Sequence, residues 1–192
     1  MAFSKQMTEN LEHFKQILQT DKNFDVVYRV IDIAGRKGCL FCVDGFTKDE
    51  VLLKVLQSWW SIQPEDMPED ADGFSKKYMP YGEVGVLDQE KDVIVQLLSG
   101  ITCIFLDGYD KCLTLDCRTY PARGVGEPEK DKVMRGSRDG FVETLIFNTA
   151  LIRRRIRDPR LIMEILSAGE SSHTDIAVCY MAVSYTHLTL PT

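Results

Sequence analysis

Four of the six cysteines stand at spacings that could bind zinc or exchange a disulfide. Cys39 and Cys42 form a C-x-x-C pair, and Cys112 and Cys117 could complete a four-thiolate site. A redox pair needs its first cysteine at a helix N-terminus, which stabilises the thiolate, but this pair lies in the strand-like stretch "CLFCVD". Zinc knuckles have polar turns, whereas leucine and phenylalanine separate these two cysteines. We therefore expect reduced structural cysteines and no cofactor, with a soluble zinc- or thiol-based redox regulator as the alternative function.

Asp44 and Asp107 each end an apolar run and precede a glycine. Carboxylates at strand ends serve catalysis in many α/β proteins, yet Asp-Gly also makes tight turns in which glycine supplies a positive φ. The three histidines have no evident catalytic partners in the sequence, and it contains no glycine-rich phosphate loop. The sequence predicts that the protein is not an enzyme and that Asp107 and Gly108 form a structural turn.

The most distinctive chemical feature of the sequence is a concentration of basic residues within residues 121–160, which we call the basic segment. Residues 148–160, "NTALIRRRIRDPR", hold five arginines. Residues 121–160 carry 10 Lys and Arg against 6 Asp and Glu, whereas residues 1–120 carry 13 against 20 and the whole chain has a net charge of −6. A basic middle between acidic ends suits an internal or partner interface better than nucleic-acid binding. Nucleic-acid binding through residues 121–160 remains a third hypothesis.

A long helix is predicted over residues 137–158, with Ser137 as its N-cap. Apolar side chains cover so much of this helix that we expect it to be mostly buried. At about 100° per residue, Arg153, Arg154 and Arg155 spread over some 200° of its circumference. Side chains spread this widely do not line one groove. They suit separate carboxylate or carbonyl partners, which the guanidinium group binds well.

Two apolar runs earlier in the chain match position by position. "LFCVDGF" (40–46) and "CIFLDGY" (103–109) each have four apolar residues, then Asp-Gly, then an aromatic residue. We expect both to be central strands that end in tight turns. The other elements predicted before residue 118 are helices over 7–19, 47–60 and 87–100, hairpins over 25–44 and 101–117, and a loop over 61–82.

These elements predict an α/β (α+β) fold of two small lobes. The first lobe covers residues 1–117, residues 118–136 form a linker, and the second lobe begins at 137–182, where two strands follow the arginine helix. The last ten residues, "VSYTHLTLPT" (183–192), continue no periodicity and resemble one reading frame of a cloning adapter. We therefore expect the native chain to continue beyond about residue 181 and the second lobe to be incomplete here.

The stretch from Tyr120 to Leu161, "YPARGVGEPEKDKVMRGSRDGFVETLIFNTALIRRRIRDPRL", carries a family resemblance. It resembles the N-terminal cytosolic region of the A-subunit family of spore germination receptors, which includes the stage V sporulation protein AF. "CLFCVDGF", "FLDGYDKCL", the "R-x-YP-x-R" of residues 118–123 and "HTDIAVCYM" are also similar to that family. Ser137 stands where family members commonly have proline, an acceptable exchange at a helix start.

The resemblance implies a cytosolic region of two α/β lobes that precedes several membrane helices, all absent here. Members of the family are similar to channel-forming subunits that assemble as oligomers and help release ions during germination. The implied location is the inner spore membrane of an endospore-forming bacterium, with this region on the cytosolic (core) side. The implied partners are other copies of the protein and other germination receptor subunits, with the membrane reached through the missing C-terminal region and no nucleic acid bound.

The resemblance also suggests a role for the basic segment. We expect the arginine helix to organise the second lobe and its contacts with the first lobe or with neighbouring subunits, pairing with carboxylates such as Glu127, Asp139 or Glu143. The candidate interaction and structural residues are Arg135, Arg138, Glu143, Asn148, Arg153, Arg154, Arg155, Arg157, Asp107 and Gly108.

Overall fold

The computed structural model describes residues 3–79, 83–120 and 140–183. Within these ranges the chain forms two antiparallel sheets and five α-helices, which confirms the predicted α/β (α+β) class. In chain order the elements are α1 (Met7–Leu18), β1 (Val26–Ile33), β2 (Arg36–Val43), α2 (Asp49–Trp59), α3 (Ala71–Tyr78), β3 (Val84–Leu87), α4 (Glu90–Leu98), β4 (Thr102–Leu106), β5 (Cys112–Leu115), α5 (Leu145–Arg155), β6 (Leu161–Ala168) and β7 (Thr174–Met181).

The larger sheet has five strands in the order β1-β2-β4-β5-β3, all antiparallel to their neighbours. Helices cover both of its faces. Leu40 and Ile104 pair across β2 and β4 and face a core that includes Trp59 of α2, whereas their neighbours Phe41 and Cys103 face a second core under α1 and α4. Because both faces are covered, β4 and β5 are buried along their whole length.

The two matching runs become adjacent strands, β2 and β4, at the centre of this sheet. Because the strands are antiparallel, their Asp-Gly turns lie at opposite ends of the sheet. Gly45 has a φ of 79° and Gly108 a φ of 92°, which L-residues with a side chain rarely adopt. The prediction of two central strands, each followed by a glycine-dependent turn, is confirmed.

The prediction that residues 61–82 form a loop is wrong. The segment contains a 3₁₀ turn at Pro64–Asp66 and the helix α3. The Asp70 carboxylate accepts a hydrogen bond from the Gly73 amide at 2.7 Å and caps α3. Prolines and acidic residues, which suggested a loop, are favourable before and within the first turn of a helix.

The long helix predicted over residues 137–158 is also shorter than expected. Among the described residues, α5 begins at Leu145 and ends at Arg155, so Arg157 lies in the segment after it. The Asn148 side chain holds the preceding segment outside the helix, since it accepts from the Val142 amide and donates to the Val142 carbonyl, each at 2.7 Å. Phe141 is 66% exposed, so the expectation of a mostly buried helix through this region is wrong as well.

The smaller sheet consists of β6 and β7, which pair along their full length as predicted. Its first residues, Leu161, Ile162 and Met163, are buried, whereas the second half of the hairpin is exposed on both strands. No helix within the described ranges is long and apolar enough to cross a membrane.

Candidate interaction site

One arginine of the basic segment is fully buried and makes an ion pair. The Arg153 side chain is 0% exposed and that of Asp25 is 3% exposed. Arg153 donates from Nε to Asp25 Oδ2 at 2.7 Å and from Nη2 to Asp25 Oδ1 at 3.0 Å. Two nearly parallel hydrogen bonds of this kind fix both groups geometrically and strengthen the charge pairing. We call Asn23, Asp25 and Arg153 the buried arginine site.

The remaining donors of this guanidinium also reach acceptors. Nη1 donates to the Asp158 carbonyl at 3.3 Å, and Nη2 donates to the Leu161 carbonyl at 3.2 Å and to Asn23 Oδ1 at 3.4 Å. A buried cation is tolerated only when its charge is paired and its N–H groups are hydrogen-bonded. Arg153 meets both requirements with groups from several separate parts of the chain.

Asn23 extends the buried arginine site to α1 and β6. Its Nδ2 donates to the Leu18 carbonyl at 2.7 Å, and its Oδ1 accepts from the Met163 amide at 2.8 Å. The neighbouring Phe24 amide donates to the Met163 carbonyl at 3.0 Å. The segment between α1 and β1 therefore binds β6 directly, and the smaller sheet is attached to the larger one at the same place as Arg153.

Apolar packing brings α5 to this position. A Cβ on Gly45 would lie 3.0 Å from Ile146 Cγ2 and 3.2 Å from Ala150 Cβ, so the helix rests against the turn that follows β2. Ala150 belongs to a small buried cluster with Val43 and Phe46. Arg153 is one turn further along the same buried face of α5 and therefore points toward Asp25 at the start of β1.

Arg154 has a different partner. Its guanidinium lies 4.5 Å from the ring centroid of Tyr120, a distance typical of cation–π contacts. The Tyr120 hydroxyl donates to the Ser99 carbonyl at 2.9 Å and accepts from Arg118 Nη1 at 3.2 Å. Arg118 in turn pairs with Asp116, and this hydrogen-bonded pairing lowers the pKa of the Asp116 carboxyl. Arg154 thus extends a contact network that begins at the end of β5.

The other predicted residues of the basic segment have more exposed positions. Arg155 is exposed, and its Nη1 donates to the Leu151 carbonyl at 3.2 Å. Arg157 and Glu143 are exposed as well. Arg135, Arg138, Glu127 and Asp139 lie outside the described residues.

Within the described residues, the carboxylate that Arg153 binds is Asp25, which was not named from the sequence, and of the three carboxylates that were named only Glu143 lies in a described range. Asp25 and Arg153 are 128 positions apart in the chain. No local pattern in the sequence links the two residues. Asn23 was missed for the same reason, since its role depends on where β6 packs.

Asp107 and Gly108 make structural contacts. The Asp107 carboxylate accepts a hydrogen bond at 2.6 Å from the amide of Met7, the first residue of α1. The Gly108 amide donates to the Lys5 carbonyl at 2.8 Å. A carboxylate at a helix N-terminus satisfies a free backbone amide and interacts favourably with the helix dipole. This turn therefore anchors α1 to the end of β4.

The C-x-x-C cysteines do not form a pair. Because they are three positions apart in a strand, their side chains lie on opposite faces of the sheet: Cys39 in the core under α1 and α4, and Cys42 against the other core. All six cysteines are free thiols, and the described part of the chain has no group of three or more metal-binding side chains. Burial raises the pKa of Cys39 to about 12 and that of Cys42 to about 11. A redox or zinc function would need stable thiolates, so the alternative function is not supported.

Comparison with known proteins identifies similar sequences and a similar fold. Residues 12–187 match the family described as Bacillus/Clostridium GerA spore germination protein. The chain is 34% identical over 177 residues to stage V sporulation protein AF of Bacillus subtilis (strain 168), covering 90% of this chain and 35% of the relative. It is also 34% identical over 188 residues to spore germination protein KA of the same organism, covering 94% of this chain and 34% of the relative. The chain therefore spans about a third of the length of these curated relatives.

A solved structure has the same fold. The crystal structure of the N-terminal domain of the A subunit of the Bacillus megaterium spore germinant receptor GerK3 matches with a TM-score of 0.72 at 21% identity. The match covers 94% of this chain and 66% of that domain.

Removing the buried cation should destabilise the fold strongly. We expect Arg153→Ala to lower the free energy of unfolding by about 3–5 kcal/mol, because it leaves the Asp25 carboxylate buried without a partner. Arg157→Ala, at an exposed position, should change it by less than about 0.5 kcal/mol. Urea denaturation of the two variants measures both values. Equal stabilities of the two variants would contradict the structural role of the buried arginine site.

The buried thiols should react slowly in the folded protein. At pH 8 the pKa of about 11 at Cys42 leaves about 100-fold less thiolate than the ordinary value of 9.0, and Cys39 has still less. We expect alkylation of both peptides, followed by mass spectrometry, to be slower by at least this factor than in urea. Because unfolded thiols ionise near pH 9 and these folded thiols only near pH 11 to 12, the stability of the fold should decrease as the pH rises from 9 through 11 to 12. Equal alkylation rates in native and denatured protein would contradict the conclusion that Cys39 and Cys42 are buried thiols with raised pKa values.

Proposed function

The chain belongs to the GerA family of Bacillus/Clostridium spore germination proteins, and from this membership we propose that it is the N-terminal cytosolic region of an A-type germination subunit. In this proposal the subunit assembles with other copies of itself and with other germination receptor subunits in the inner spore membrane. The assembly releases ions during germination, and this region lies on the core side. The observation that carries the proposal is the family match over residues 12–187. The region acts through assembly, without a catalytic step.

The lengths of the relatives support a role as one region of a larger protein. The chain spans about a third of stage V sporulation protein AF and of spore germination protein KA. It shares its fold with the N-terminal domain of the A subunit of the Bacillus megaterium germinant receptor GerK3. We therefore assign attachment to the membrane to the remaining part of the subunit.

We propose that residues 1–117 form a first lobe, that residues 118–136 link it to the next, and that residues 137–182 begin a second lobe that is incomplete. The exposed half of the β6–β7 hairpin supports this division. Ile165 is 44% exposed, Leu166 51% and Ile176 44%, although apolar residues in strands are normally covered by a neighbouring layer. This chain covers 66% of the solved N-terminal domain. In that protein, additional residues of the domain could pack on the surface that corresponds to the exposed half of the hairpin. Residues 183–192 are, in this proposal, a non-native adapter-derived tail.

The arginines divide between two roles in this proposal. Arg153 joins the two sheets internally, because it is completely buried and paired. Arg154, Arg155 and Arg157 are exposed, and a guanidinium at a subunit surface can bind carboxylates or carbonyls of a neighbouring chain. We assign the contacts with neighbouring subunits to these three exposed arginines and to Glu143, an exposed carboxylate close to them in sequence.

Replacing Arg154 in the full-length subunit should impair assembly. We expect spores carrying Arg154→Ala to germinate more slowly and to yield less cross-linked oligomer, because the variant loses the exposed guanidinium and its contact with Tyr120. Lys91→Ala, an exposed lysine on α4, is the matched control and should leave both properties unchanged. Thermal unfolding of the isolated chain separates assembly from folding, since an exposed substitution costs only about 0.5 kcal/mol. Normal germination and normal oligomer yield in the Arg154→Ala spores would contradict the assigned role.

A further inference from the structure

A cavity of about 290 Å³ opens between α2, the end of α3 and β5. It lies on the face of the five-stranded sheet opposite α1 and α4, away from the buried arginine site and from the exposed arginines. Pockets for small organic ligands start at roughly this volume. The cavity is large enough for a molecule such as phenylpropionate and too small for a protein segment with secondary structure.

The wall of the cavity is almost entirely apolar. Val51 and Val55 line it from α2, Tyr78 and Met79 from the end of α3, and Leu115 from the end of β5. Met79 and Leu115 are otherwise buried, at 2% and 0% exposure. Apolar surface of this kind favours an apolar occupant, since removing apolar surface from water is favourable.

Lys54 is the one charged residue among the described residues that line the cavity. It is exposed, and within the described ranges no carboxylate lies within ion-pair distance of its ammonium group. Glu50, one turn earlier on α2, does not pair with it. The Ser58 hydroxyl at the mouth already donates to the Val55 carbonyl at 2.6 Å. Among the described residues, the polar rim therefore offers one unpaired cation and one hydroxyl that is already hydrogen-bonded.

We propose that this cavity binds a small amphipathic anion, an aliphatic or aromatic carboxylate, with its apolar part between α2 and β5 and its carboxylate at Lys54. The apolar wall supplies most of the affinity and the lysine selects the anion over its neutral analogue. The site is separate from the surfaces assigned to assembly, so it would give the domain a ligand-binding function of its own.

The two tryptophans of the chain provide a direct readout. Trp59 donates from its indole nitrogen to the Tyr78 carbonyl at 2.9 Å, which couples it to the cavity wall. In a Trp60→Phe background, Trp59 is the single tryptophan. Titration with 3-phenylpropionate should shift its fluorescence saturably, and the neutral alcohol 3-phenylpropan-1-ol should bind at least ten-fold more weakly. Calorimetric titration of the unaltered chain checks the same affinities without the background substitution.

Two variants and one control test the residues. Lys54→Met keeps the length of the side chain and should weaken phenylpropionate binding at least ten-fold while leaving phenylpropanol binding unchanged. Val55→Phe fills the cavity and should abolish binding of both. Lys91→Met, outside the cavity, should bind like the unaltered chain. The proposal is overturned by the absence of saturable binding, by equal affinities for the acid and the alcohol, or by equal affinities in Lys54→Met and Lys91→Met.

Discussion

The ion pair between Arg153 and Asp25 is the contact on which the joining of the two sheets depends. Both side chains are buried, with Arg153 at 0% exposure, so neither charge can be solvated if the other is removed. Such a pair contributes little net stability against a well-packed apolar alternative, but breaking it by removing one partner is costly. Because α5 carries the arginine and β1 follows the aspartate, the pair fixes the position of the helix relative to the first sheet. Asn23 adds β6 to the same site through the Met163 amide.

The repeated Asp-Gly motif explains how two helices reach opposite ends of one sheet. The turn after β4 anchors the N-terminus of α1 through Asp107, and the turn after β2 provides, at Gly45, a surface without a side chain for α5. The two strands are neighbours and antiparallel, so the same short sequence serves two different helices. In each turn glycine is needed for its positive φ. The contact of that turn with its helix, α1 or α5, therefore depends on the glycine.

Local patterns in the sequence were sufficient to predict the central strands, the Asp-Gly turns, the β6–β7 hairpin and the fold class. They failed where a side chain acts on the backbone at short range. Asn148 holds Val142 outside the helix, so α5 starts later than its apolar residues suggested, and Asp70 caps a helix within a segment predicted to be a loop. The partner of Arg153 could not be predicted, because choosing Asp25 among the acidic residues requires the packing of α5 on β2. The Tyr120–Leu161 stretch still indicated the family. A family resemblance depends on the identity of the residues and can be seen without knowing which residues are in contact.

The domain is proposed to be one region of a membrane-bound germination subunit, and its relatives are about three times longer than this chain. The most direct test is to sequence the native gene across codon 182 and beyond. We expect an open reading frame that diverges from "VSYTHLTLPT" and continues through the rest of the second lobe into several hydrophobic spans. A stop codon directly after Thr192 in the native gene would contradict this proposal, because the subunit would then have no membrane part.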